Sequence, residues 1–111
     1  MKVYYLVLDL KDDEESIREY ETYHENVWPE VLEKIKESGI TSCEIFRVFN
    51  RLMMRIEADD NFSFEAKSKI DLSSEKVLLW EDLMWKYQQA IPGSKIGEKW
   101  QLMEKIFDYK V

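Results

Sequence analysis

The sequence contains few of the residues that build metal centres, disulfide frameworks and phosphate-binding loops. Among 111 residues there are one histidine, one cysteine, three glycines and two prolines. One histidine and one cysteine cannot supply the usual ligand set of zinc or a transition metal, so we expect no metal site. The glycines lack the spacing of a phosphate-binding loop, a dinucleotide-binding turn or a nucleophile elbow. Phosphoryl transfer and acyl transfer are therefore not expected.

Basic residues are also too few to predict a polyanionic partner. The formal net charge is −7, whereas affinity for nucleic acid depends on clustered lysine and arginine. We expect no nucleic acid and no anionic membrane surface as partner. The longest apolar run, residues 3 to 8, is far below a spanning length. The first residues do not show the regions of a signal peptide in order, and a lone Cys43 is typical of a reducing compartment, so we expect a cytoplasmic protein.

The residues that are present predict one compact domain. Apolar residues make up 45% of the chain and charged residues 35%, which is the balance of a globular protein. A length of 111 residues is close to the commonest domain size and too short for two independent cores. We expect a single α+β domain over residues 1–111.

The first half of the chain has clear local signals for a strand followed by a two-part helix. Residues 3–10 are almost continuously apolar and rich in β-formers, as in a strand covered on both faces. An acidic segment then supplies an N-cap, so a helix is predicted to begin near Asp13. Pro29 disfavours helical geometry before it but suits the first turn of a new helix. That second helix should span residues 30–38 and end at Gly39.

The second half predicts a hairpin, two helices and a last strand. The expected ranges are strands 41–48 and 51–58, helices 63–69 and 74–90, and strand 100–109. The order strand, helix, two strands, helix, strand is the βαββαβ arrangement of ferredoxin-like folds. Alternation leaves apolar side chains on the second sheet face, among them Tyr5, Phe46 and Val48. A homodimer pairing sheet to sheet would cover them.

The single histidine, His24, is the first candidate for chemistry. It interrupts an apolar helical stripe formed by Ile17, Tyr20 and Val27. An imidazole titrates near neutrality, so in a pocket it is suited to general acid–base catalysis. The alternative is a core histidine bonded to a backbone carbonyl oxygen.

The helix predicted over residues 74–90 carries the second group of candidates. Glu81 and Gln88 fall in or beside its apolar sector and need polar partners, which a hydroxyl-rich ligand or a basic side chain would supply. Trp85 lies at the flank of this sector. With Trp28 and Tyr20 it would provide flat amphipathic walls for a small polar ring, or simply belong to the core.

Several of these residues also form a family signature. The segment Glu19-Tyr20, His24 and Trp28-Pro29-Glu30 resembles the tyrosine, histidine and Trp-Pro-Glu motif of L-rhamnose mutarotases, and Trp85-Lys86-Tyr87 is similar to that family's Trp-Lys-Tyr. The resemblance implies a dimeric α+β barrel without cofactor that interconverts the anomers of a 6-deoxy-L-hexose. It makes His24 the acid–base residue, with Tyr20 and Trp85 contacting the monosaccharide. The residue pattern described above adds Trp28 and Glu81 as further substrate-binding candidates.

Two departures from the family pattern concern sugar contacts. Cys43 stands where rhamnose-type members have a tyrosine on the second strand, and Met84-Trp85 replaces a pair of tryptophans. The resemblance therefore leaves L-rhamnose and L-fucose both open as substrates. Two other functions also remain open, a non-catalytic binding module on the same fold and a cofactor-free oxygenase. A pocket lined by polar groups around His24 would favour the mutarotase, and a wholly apolar pocket the oxygenase.

Overall fold

The computed structural model describes residues 1–111 and combines an antiparallel sheet with helices. The elements are β1 (Lys2–Leu10), α1 (Glu14–Glu25), α2 (Pro29–Glu37), β2 (Ile40–Val48), β3 (Arg51–Ala58), α3 (Phe64–Leu72), α4 (Glu75–Trp85), β4 (Gln88–Gln89) and β5 (Gln101–Leu102). The strand order is β2-β3-β1-β4, and β5 also pairs with β1. This is the expected ferredoxin-like α+β fold. None of the helices is long and apolar enough to cross a membrane.

The two-part helix forms as predicted. Asp13 is the N-cap of α1, and its carboxylate accepts a hydrogen bond from the Ser16 backbone N–H at 3.0 Å. The helix ends before Asn26, and α2 begins with Pro29 at its first position. The hairpin of β2 and β3 and the short helix α3 also lie where their local signals place them.

The prediction of a helix over residues 74–90 is wrong at its C-terminal end. The helix stops at Trp85, and Lys86 and Tyr87 donate backbone hydrogen bonds to residues only three positions back. Gln88 and Gln89 then pair with Leu10 and Asp9 of β1. A non-local backbone partner therefore ends the helix, because tertiary context overrides helix propensity.

The predicted last strand over residues 100–109 is also too long. Only Gln101 and Leu102 pair with β1, and the Met103 N–H adds one hydrogen bond to the Tyr5 carbonyl at 2.7 Å. Residues 104–111 lie outside the sheet and are exposed. The apolar side chains Ile106 and Phe107 of this segment are 93% and 80% exposed.

The sheet has one covered face and one open face. Along β1 and β3 the inward side chains are buried, for example Leu8, Leu52 and Ile56, and pack toward the helices. On the opposite face Phe46 and Val48 are 51% and 60% exposed. A cavity opens on the covered side, between the sheet and the helices.

Gly39 allows a stability test of the turn between α2 and β2. Its φ is +96°, and an added Cβ would lie 2.7 Å from Asp59 Oδ2. Gly93 has a similar φ of +94° but open space around it. We expect Gly93→Ala to cost about 1–3 kcal/mol of backbone strain. Gly39→Ala should cost about 1 kcal/mol more, because the Asp59 carboxylate must move. That movement disturbs the hydrogen bond of 3.0 Å that Asp59 Oδ1 accepts from the Asn61 backbone N–H. Urea unfolding measures both, and equal losses would contradict the steric argument.

Candidate active site

A cavity of about 830 Å³ lies between the helices and the covered face of the sheet. This volume is within the range of small-molecule sites. Its wall contains His24 and Tyr20 from α1, Cys43 from β2 and Glu81 from α4. Apolar side chains of the core complete it, so the cavity is neither wholly polar nor wholly apolar.

His24 is held by a hydrogen bond within its own helix. The Nδ1 atom lies 2.9 Å from the Tyr20 backbone carbonyl oxygen, one turn earlier. A carbonyl oxygen only accepts, so Nδ1 carries the hydrogen of this bond. The other ring nitrogen, Nε2, is then left to exchange a proton in the cavity. The alternative of a core histidine predicted a hydrogen bond to a backbone carbonyl oxygen. That bond is present, but the same histidine also lines the cavity.

Aromatic rings fix the plane of the imidazole. The Tyr20 ring centroid lies 4.4 Å from that of His24, with the rings tilted by 36°. Trp80 meets the imidazole edge-to-face at 5.6 Å, and Trp28 packs on Trp80 at 5.2 Å. These contacts restrict the imidazole on two sides, which is what a positioned acid–base group requires.

Tyr20 is suited to donate a hydrogen bond rather than to act as a base. It is 3% exposed, and its hydroxyl oxygen accepts a hydrogen bond from Gln88 Nε2 at 3.3 Å. Burial raises the pKa of Tyr20 to about 12. The phenol is therefore neutral near neutral pH, and its own hydrogen is free to bind a ligand oxygen.

Glu81 is half-buried in the cavity wall and forms no ion pair. Burial, and secondly the nearby Asp71 carboxylate, raise the pKa of Glu81. The alternative prediction, that Glu81 pairs directly with a lysine or arginine, does not describe this structure. A carboxyl group with a raised pKa is better matched to proton transfer near neutrality than an exposed one.

The two predicted tryptophans do not line the cavity. Trp85 lies at the end of α4, 37% exposed, with the ammonium of Lys99 5.2 Å from its ring centroid. Lys99 itself does line the cavity, so Trp85 borders the site through it. Trp28 packs on Trp80, which does line the cavity. The structure therefore brings together His24, Tyr20 and Glu81 and places Trp85 and Trp28 behind them.

Trp80, Lys67 and Asp71 are among the cavity residues that were not predicted as site residues. Trp80 falls in the apolar sector of the helix predicted over residues 74–90, which is typical of a core residue, and no function was predicted for Lys67 and Asp71. Their i, i+4 spacing is that of an ordinary surface ion pair, so the sequence contains no signal that they face inward. Cys43 also lines the cavity; it is exposed there, and partial desolvation raises the pKa of its thiol.

Similarity to known proteins extends over nearly the whole chain. A family model described as L-rhamnose mutarotase matches residues 4–109. An L-fucose mutarotase of Xanthomonas campestris pv. campestris is 42% identical over 103 residues, covering 91% of this chain and 82% of that protein.

Solved structures share the fold at low sequence identity. The crystal structure of an L-rhamnose mutarotase from Formosa agariphila matches with a TM-score of 0.70 and 19% identity, over 99% of this chain and all of that one. A dimeric ferredoxin-like protein from an uncultured marine organism matches with a TM-score of 0.56 and 15% identity, over 97% of this chain and 91% of that one.

Alkaline unfolding tests the environment of Tyr20. The pKa is about 12 in the folded protein and 10.0 for a free phenol. The stabilisation is therefore complete below pH 10 and is lost as the pH rises toward 12. We expect Tyr20 to contribute a loss of about 1.4 kcal/mol in the free energy of unfolding per pH unit in that window.

The matched comparison is Tyr20→Phe, measured by urea unfolding below and within that window. The variant should lose less stability with rising pH than the wild-type protein. Tyr87, whose pKa burial also raises to about 12, is present in both proteins and does not affect the difference. If both proteins lose stability equally as the pH rises, the raised pKa of Tyr20 is contradicted.

Proposed function

The chain belongs to the L-rhamnose mutarotase family, and we propose that its substrate is L-fucose, with L-rhamnose as the alternative. Family membership makes it an isomerase that interconverts the α and β anomers of a sugar. The choice of L-fucose is supported by 42% identity to an L-fucose mutarotase over 91% of the chain. The observation that carries the mechanism is the hydrogen bond that leaves Nε2 of His24 free in the cavity.

Anomer exchange requires the pyranose ring to open and close again. The bond between C1 and the ring oxygen breaks, the ring oxygen gains a proton, and the anomeric hydroxyl loses one. C1 is then the carbonyl carbon of an open-chain aldehyde. Rotation about the C1–C2 bond presents its other face, and the reverse transfers close the ring as the second anomer. No proton is consumed over the cycle.

We assign the proton at the ring oxygen to His24. The charged imidazole donates from Nε2 as the ring opens and takes the proton back as it closes. The Nδ1 hydrogen stays on Nδ1 throughout and is donated to the Tyr20 carbonyl oxygen. A fixed ring orientation keeps Nε2 aimed at one point in the cavity, which reduces the entropic cost of reaching the transition state.

Other residues take supporting roles in this proposal. Glu81 accepts the proton of the anomeric hydroxyl, since its raised pKa suits a base better than that of an ordinary carboxylate. The Tyr20 hydroxyl donates a hydrogen bond to a sugar oxygen. Trp85 and Trp28 contact the sugar only if side chains at the border of the cavity move, because neither lines it here.

The two alternative functions are not favoured. An oxygenase acting on an apolar, electron-rich substrate would need an apolar pocket, whereas charged Glu81, Lys67 and Lys99 line this one. A non-catalytic binding module would not require the family's histidine with one ring nitrogen left free. No cofactor enters the proposed reaction.

We propose that the protein is a cytoplasmic homodimer that pairs through its open sheet face. Exposed Tyr5, Phe46 and Val48 on that face support the pairing, since apolar patches on a sheet are normally covered. The fold match to a protein described as dimeric supports it as well. The lone Cys43 is consistent with a reducing compartment.

Removal of the imidazole tests the catalytic assignment. We expect His24→Ala to slow anomer exchange of L-fucose by about 10² to 10⁴-fold, the usual contribution of a general acid–base group. Exchange NMR at the anomeric protons of L-fucose and L-rhamnose, with catalytic amounts of protein, measures it. Arg18→Ala is the control, because Arg18 is an exposed residue of the same helix. Nearly unchanged exchange in His24→Ala would remove His24 from the mechanism.

A charge on the open face tests the dimer. Val48→Glu places a carboxylate where Val48 is 60% exposed in the single chain, and Leu79→Glu does the same at a 54% exposed position of α4. We expect sedimentation velocity to show a dimer for the wild-type protein and Leu79→Glu, and a monomer for Val48→Glu, because burying an unpaired charge is costly. If the Val48→Glu dimer is as stable as the Leu79→Glu dimer, the open sheet face is not the dimer interface.

A further inference from the structure

Helix α3 turns a charged stripe toward the interior of the protein. None of its residues is buried, and the least exposed are Lys67, Ile70 and Asp71. Their spacing of three and four residues places them on one face of the helix. A helix packed on a core normally presents an apolar stripe there. Phe64 packs α3 edge-to-face on Tyr4 and Phe62. The inward position of Lys67 and Asp71 therefore requires an explanation other than core packing.

Two ion pairs of the same spacing on this helix allow a direct comparison. Lys67 Nζ lies 2.6 Å from Asp71 Oδ2, with side-chain exposures of 25% and 14%. Lys69 Nζ lies 3.7 Å from Glu65 Oε1, with exposures of 76% and 84%. A pair that only supports the helix works as well in solvent, where no desolvation opposes it. The inward position of Lys67 and Asp71 thus carries a cost that helix stability does not explain.

The inward pair belongs to the wall of the cavity that contains His24. Both residues line it, together with Cys43 and Glu81. The Lys67 charge acts on the thiol of Cys43, and the Asp71 charge acts on the carboxyl group of Glu81. The pair therefore lies within electrostatic range of Cys43 on β2 and of Glu81 on α4.

We infer that Lys67 and Asp71 bind hydroxyl groups of the sugar and discriminate between sugars by hydroxyl configuration. A sugar hydroxyl both donates and accepts hydrogen bonds, so an ammonium and a carboxylate held together satisfy it from both sides. L-fucose and L-rhamnose differ in configuration at C2 and C4, and a fixed pair can match only one arrangement. This inference rests on the proposed function and adds to it the residues that set specificity.

The test measures how anomer exchange depends on sugar concentration in Lys67→Met and Asp71→Asn. We expect KM for the preferred sugar to rise about 10- to 100-fold, as for the loss of a hydrogen bond to a charged group, while kcat changes far less. The ratio of kcat/KM for L-fucose to kcat/KM for L-rhamnose should move toward one in both variants. Lys69→Met and Glu65→Gln remove the solvent-exposed ion pair of the same helix. They should leave KM and the preference between the two sugars unchanged.

A double variant separates binding from folding. Lys67→Met with Asp71→Leu removes both charges, so no unpaired charge remains in the cavity, and circular dichroism confirms folding. A folded double variant with raised KM supports the inference, and one with wild-type KM and preference overturns it. If the wild-type protein accelerates neither sugar, the proposed function itself is wrong. If the wild-type protein is active and the cavity variants match the Lys69→Met control, only the inference is wrong.

Discussion

The hydrogen bond between His24 Nδ1 and the Tyr20 carbonyl is the constraint on which the site depends. At 2.9 Å, it places the Nδ1 hydrogen and leaves Nε2 for the cavity. It exists only because α1 stays helical through Glu25, so that residues one turn apart are in register. The Asp13 cap begins this helix, and the break before Pro29 ends it at the cavity. Local capping signals thus determine where an acid–base group lies.

The cavity around this histidine joins two kinds of wall. Tyr20 and Trp80 are buried aromatic residues that pack on the imidazole and hold its plane. Lys67, Asp71 and Glu81 add charges in partly buried positions of the cavity wall. Charges in such surroundings interact more strongly than in water, so each affects its neighbours and any bound hydroxyl group. This combination suits a ligand with an apolar ring face and a polar rim, as a deoxy sugar has.

The sequence predicts this structure where the determining signal is local. Asp13, Pro29 and Gly39 mark helix ends through their own backbone and capping chemistry, and those predictions are confirmed. The end of α4 is different, because Gln88 leaves the helix to pair with Leu10, far away in the chain. The inward direction of Lys67 and Asp71 is likewise set by how α3 packs, and their spacing equals that of the solvent pair Glu65 and Lys69. His24 is a candidate from the sequence because it is the only histidine and interrupts an apolar stripe, and the structure places it in the cavity wall.

One measurement tests the central constraint most directly. The chain has a single histidine, so a long-range ¹H–¹⁵N NMR spectrum of uniformly labelled protein contains one imidazole and needs no further assignment. In the neutral ring the account predicts the hydrogen on Nδ1 and the lone pair on Nε2, with the Nε2 resonance shifting when L-fucose is added. A neutral ring with its hydrogen on Nε2, or an Nε2 resonance that does not respond to sugar, would contradict it.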